Sequence, residues 1–139
     1  MKKRLGSLAV ALFLLVPALA AAETTWLKNV SLRVVGAGGG YVFHQVQLVT
    51  GVWPVAPGHK AGVVYTWDNW QTAHWAELQW THNEPNAYGS QDEVWYGSFV
   101  PPPHISTSGI QFAIYVDDAL GNRTWNNNNG QNFVVSPNP

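Results

Sequence analysis

From residue 23 onward, short alternating or apolar runs recur along the chain, and none repeats with the 3.6-residue period of a helix. The runs predict strands at Trp26–Val35, Tyr41–Thr50, Gly62–Trp67, Trp75–Thr81, Glu93–Val100, Gly109–Asp117 and Asn132–Val135. Gly36-Ala37-Gly38-Gly39-Gly40 turns the first run into the second, and the stretch from Pro54 to Gly58 leads to the third. Pro101-Pro102-Pro103 ends the fifth, because proline cannot donate to a ladder. This spacing predicts an all-β fold, an immunoglobulin-like β-sandwich of about seven to eight strands, with a closed barrel as the alternative.

Alternation assigns the faces. Val30, Leu32 and Val34 share one side of the first strand, and Val46 and Leu48 continue the core in the second. Val63, Tyr65 and Trp67 oppose Val64 and Thr66; Leu78 and Trp80 face away from Glu77, Gln79 and Thr81. Phe112, Ile114 and Val116 oppose Gln111, Ala113 and Tyr115. The chain has eight Trp, more than a core of this size holds, since each ring buries ~150–250 Å². Trp67, Trp80 and Trp95 lie within strands and are expected to be structural. Trp70 and Trp125 fall beyond strand ends, in loops, which makes them the candidates for binding, and Trp75 fits either role.

The first 22 residues are read as a signal peptide: basic Lys2, Lys3 and Arg4, then an apolar run from Leu8 to Leu19 too short for an ordinary membrane span. Small-x-small sites at Ala18-Leu19-Ala20 and Ala20-Ala21-Ala22 place cleavage between Ala21 and Glu23, and imply a secreted protein, extracellular or periplasmic. Residues 23–139 make one domain. Lys28, Arg33, Lys60 and Arg123 are its only basic residues against eight acidic ones. That balance argues against nucleic acid or an anionic membrane as partner and favours a neutral ligand. There is no Cys, so no disulfide supports the fold.

The five histidines show no metal-ligand spacing, and neither a nucleophile elbow nor a phosphate loop is present; no cofactor, metal or catalytic residue is assigned. The distinctive segment is Trp125-Asn126-Asn127-Asn128-Asn129-Gly130-Gln131-Asn132-Phe133, taken with Asp68-Asn69-Trp70. A pyranose offers a C–H face that stacks on an aromatic ring and hydroxyls that pair with carboxamides. The same run also reads as a plain hairpin connection, since Asn tolerates left-handed backbone.

Four segments in register resemble family 21 carbohydrate-binding modules, the starch- and glycogen-binding domains. They are Gly62 to Trp70, Asp92 to Phe99, Gly109 to Tyr115 and Trp125 to Phe133. The resemblance covers about Lys60 to Val135; the earlier strands match only in pattern. It implies a β-sandwich that binds α-glucan and catalyses nothing. By position it implies a principal site at Trp70, Trp125, Asn127 and Asn132, with Asn128 of the same run beside them. It also matches Glu93 to a polar contact position and Lys60 to a lysine of a second site. Pro57 stands where that second site has an aromatic, and Ala113 where certain members carry a stacking Tyr.

Three readings follow. The first is a secreted, non-catalytic module binding α-glucan (starch or glycogen) chains, with a separate glycan-active enzyme as a further partner. The second is an extracellular immunoglobulin-like structural or protein-interaction domain, since fold does not fix function. The third, a small glycan-active enzyme, needs Glu93 and Asp68 as a carboxylate pair. Co-planar, exposed Trp70 and Trp125 would favour sugar; buried ones would favour structure.

Overall fold

In a computed structural model, residues 23–106 and 108–137 are described; the signal peptide expected at residues 1–22 lies outside them. Nine strands form two antiparallel sheets, with no helix among the described residues. β1 (Thr24–Gly38) and β2 (Tyr41–Trp53) make a long hairpin, turned by Gly39 and Gly40 at φ 60° and 85°. With β6 (Gln91–Phe99) and β5 (Gln79–Pro85) they form a sheet ordered β1-β2-β6-β5. The other sheet runs β4-β3-β7-β8, from β4 (His74–Glu77), β3 (Lys60–Thr66), β7 (Ile110–Asp117) and β8 (Arg123–Asn126). β9 (Phe133–Val135) also pairs with β7, beyond β8.

The predicted alternation holds where the core is built. Val46, Leu48 and Val52 from one sheet meet Val63, Ile110, Phe112, Ile114 and Val116 from the other, all fully buried. Each such side chain contributes about 1.5–3 kcal/mol of apolar transfer. Trp95 is buried among them as expected, and Trp67 packs half-buried against the core with its ring stacked on His74 at 4.0 Å.

The single strand expected at Trp75–Thr81 is two strands in different sheets. At Leu78 the chain crosses over: its N–H still bonds the Ala61 carbonyl of β3, while Gln79 already pairs with Tyr96 of β6. Leu78 is buried at the crossing, and Gly97 clears room for it, since a Cβ there would lie 2.4 Å from Leu78 Cδ2. A bulge between Trp80 and His82 then breaks the alternation. Trp80 turns out to solvent, 53% exposed, and its Nε1 donates to Asn83; it is not the core residue its strand position predicts.

One buried polar cluster ties the four-stranded sheet to the segment before β3. His59 Nδ1 lies 2.9 Å from both carboxylate oxygens of Glu93, and Nε2 lies 3.2 Å from Glu23. Burial pulls the His59 pKa down, but hydrogen bonds and charge from Glu93 and Glu23 outweigh it and leave the pKa raised above 6.5. An imidazolium, which donates from both nitrogens, suits this place. Because the folded pKa is the higher one, this stabilisation is complete below the unfolded value near 6.5 and fades as pH rises through the folded value. Melting temperature should therefore decline from about pH 6 to 8 in the wild type and less in His59→Gln. Parallel profiles for the two proteins would refute the assignment.

Candidate ligand-binding site

The site begins where β3 ends. Thr66 is fully buried, and its hydroxyl donates to Asp68 Oδ1 at 2.7 Å while accepting from the N–H groups of Asp68 and Trp70. Asp68 also accepts from the Thr72 N–H and hydroxyl. These bonds, that from Thr66 foremost, pull the Asp68 pKa down to about 2, so this carboxylate organises a turn. Asn69 and Trp70 both adopt left-handed backbone, φ 59° and 67°. For a tryptophan that costs of order 1–3 kcal/mol and persists only where surroundings enforce it. The enforcement is visible: Trp70 Nε1 donates to Gln111 Oε1, and Gln111 Nε2 donates to Asn69 Oδ1. The indole is fixed with 36% of its surface open to solvent.

Trp125 faces the same region from the other side. It lies in β8 and not in a loop as predicted, in register with Tyr115 of β7, and is 45% exposed. After β8 the chain leaves the sheet for residues 127–132 and returns as β9. Asn132 N–H to the Asn127 carbonyl, 2.7 Å, closes this excursion. Inside it Asn128, Asn129, Gly130 and Asn132 all have positive φ, which Asn and Gly tolerate best. Asn127 Oδ1 accepts from the Gly130 N–H, and Asn126 Nδ2 anchors the base to the Thr25 carbonyl of the opposite sheet.

Between the indoles is an open depression of about 660 Å³ lined by Val64, Trp70, Ala113, Trp125, Asn127 and Asn132. Val64 and Ala113 are register partners on β3 and β7 and form its floor. No lining residue carries charge. Asn132 makes no side-chain hydrogen bond among the described residues, and neither does the Nδ2 of Asn127, so these groups are available to a ligand.

Four of the seven residues expected to bind are thus gathered at one depression: Trp70, Trp125, Asn127 and Asn132. The other three are not. Asn128 does not line the depression, and its Nδ2 donates to the Asn132 carbonyl inside the loop. Lys60 stands four residues before Val64 on β3, roughly 13 Å along the strand, opposite Asp117. Glu93 is 3% exposed and accepts from Ala56 N–H, His59 and Trp95 Nε1, so burial and committed oxygens replace the expected ligand contact. Of the carboxylate pair an enzyme would need, Glu93 lies in β6 of the four-stranded sheet and Asp68 in the turn that follows β3 of the other. The sequence did not single out Gln111 or Val64, although alternation placed Gln111 and Ala113 on the outer face.

Trp75 joins the aromatic surface from β4. On this outer face Trp75, Tyr115 and Trp125 lie with ring centroids 5.4–5.8 Å apart. Tyr115 lies across Gly62, where a Cβ would come within 2.2 Å of the phenol oxygen. Arg123 caps the group, 4.0 Å above the Tyr115 ring, held by two bonds to Asp117.

No family model matches the chain, and no curated protein matches it by sequence. Solved structures do match by shape. The carbohydrate-binding module of the muscle glycogen-targeting subunit of protein phosphatase-1 aligns over 78% of this chain and 72% of its own, at 19% identity and TM-score 0.51. The starch-binding domain of Rhizopus oryzae glucoamylase, solved with β-cyclodextrin and maltoheptaose, aligns over 78% of this chain and 95% of its own, at 23% identity and TM-score 0.50. The chain shares with these two domains an all-β sandwich fold.

Proposed function

We propose that this protein is a secreted, non-catalytic module that binds α-glucan chains at the depression between Trp70 and Trp125. The observation that carries this reading is a pair of half-exposed indoles flanking an uncharged floor, with the carboxamides of Asn127 and Asn132 at the wall. Sugar rings stack by their C–H faces on the indoles, and the two amides pair with hydroxyls and fix orientation. The substrates named for the two fold neighbours, glycogen for one and starch for the other, support the choice of α-glucan.

A single site of this kind binds weakly, because sugar hydroxyls exchange water bonds for protein bonds of similar worth. A polymer with repeated sites raises the effective affinity. The protein should be retained on amylose resin and insoluble starch and pass through cellulose. Passage through all three would end the proposal in favour of an interaction domain of the same fold.

A further inference from the structure

We infer that Trp75, together with Arg123, forms an additional sugar-contact position that continues the Trp70–Trp125 site across the sheet face and makes binding depend on chain length. The inference rests on the α-glucan reading above and extends it beyond the depression.

The first ground is placement. Trp75 pairs with Val64, which lines the depression, and its side chain shares the outer face with Trp125. Trp75 and Trp125 start on the two outer strands of the sheet, with β3 and β7 between them. Backbones three strand spacings apart are separated by ~14 Å, yet the indole centroids are 5.8 Å apart. The two rings lean inward over the middle strands and make one continuous aromatic surface.

Exposure is the second ground. Tyr115 is 8% exposed, so its covering is complete, yet Trp75 keeps 55% of its surface open, more than Trp125. Covering Tyr115 does not consume that area. An indole held at a fixed place with so much open surface suits a stacking partner.

The third is Arg123. Its Nε and one Nη2 proton are spent on Asp117, which fixes the guanidinium beside all three rings, 5.4 Å from the Trp75 centroid and 5.6 Å from that of Trp125. Three of the five N–H donors of a guanidinium remain for hydroxyls of a sugar seated there.

Ring inclination adds selectivity. The Trp75 and Trp125 planes meet at 57°, so successive sugar units stacking on both must turn relative to one another. An α-1,4 chain curves at each linkage and meets that demand; a flat, extended β-1,4 chain does not.

The test is calorimetric titration of maltotriose and maltoheptaose into wild type, Trp75→Ala, Trp75→Phe and Trp75→Leu. Wild type should prefer maltoheptaose. Trp75→Ala should weaken maltoheptaose binding by about three- to tenfold and change maltotriose binding less than about twofold. Trp75→Phe should keep most of the preference, whereas Trp75→Leu, which fills space without an aromatic face, should lose it. If Trp75→Ala does not fold, the Phe and Leu variants decide. Equal losses for both sugars would mean that Trp75 only props Trp125, and would overturn the inference. Unchanged maltoheptaose binding would overturn it too, as would a wild type without chain-length preference. A wild type that binds neither sugar sinks the α-glucan reading itself, an outcome distinct from the others.

Discussion

Titrating maltoheptaose into the Trp70→Ala/Trp125→Ala double variant is expected to give no measurable binding, while each single variant loses about ten- to a hundredfold. Each indole contributes apolar area taken out of water plus ring stacking, together worth ~1.4–2.8 kcal/mol per face. Both rings are more than a third exposed, so their removal leaves the sandwich core intact and thermal unfolding near that of wild type. Trp125→Tyr should retain much of the affinity and Trp125→Leu should not, since stacking needs a face. The amide contribution is best isolated with Asn132→Gly. Asn132 sits at φ 63°, which glycine adopts freely, so this change removes the carboxamide without straining the loop. Asn127→Ala is less clean, because Asn127 Oδ1 also holds the Gly130 N–H. With no charge lining the depression, binding should vary little with salt. A double variant that still binds maltoheptaose would remove the site.

Replacing Glu93 separates stability from binding. Glu93→Ala leaves two buried donors, His59 Nδ1 and Trp95 Nε1, and the half-buried Ala56 N–H without their shared acceptor. Removing one partner from a buried, hydrogen-bonded charge pair costs about 3–5 kcal/mol. Denaturant unfolding should show a loss of that order, enough to empty much of the native population of a small domain. Glu93→Gln, which still accepts from two of the donors, should lose less. Where the variants remain folded, glucan affinity should be unchanged. Reduced affinity at wild-type stability would return Glu93 to the binding surface.

Much of the sandwich was legible because one face of most strands is buried, and burial writes itself as alternation. Val46 and Leu48, fully buried on either side of half-buried Gln47, are the clearest case, whereas on β7 Ala113 and Tyr115 of the outer face are covered as well. The crossing at Leu78 was invisible for the same reason: alternation continues smoothly through Trp75–Leu78 although the strand changes sheets there. β8 was missed because it has only four residues and merges into the asparagine run. Trp70 and Trp125 were identifiable as unusual from the residues around them, and the fold sets both at one depression. Glu93 could not be placed from sequence, since its partner His59 is 34 residues away and only the fold brings them together. The position of Trp75 over Tyr115 likewise depends on the order of four strands.

The asparagine excursion also bears on how the molecule meets other copies of itself. An open sheet edge is a template on which a foreign strand can add, and long, flat, regular edges are the most hazardous. On this side of the five-stranded sheet the outermost row is divided between β8, of four residues, and β9, of three, with a left-handed loop projecting between them. An incoming strand finds neither the length nor the regular spacing to extend a ladder there. Only Ala113 of β7 separates the partners of Asn126 and Phe133, so the six residues between them have no place in the ladder and the two pieces cannot run on as one strand. The same excursion that brings Asn127 and Asn132 to the depression thus makes this border a poor template for strand addition.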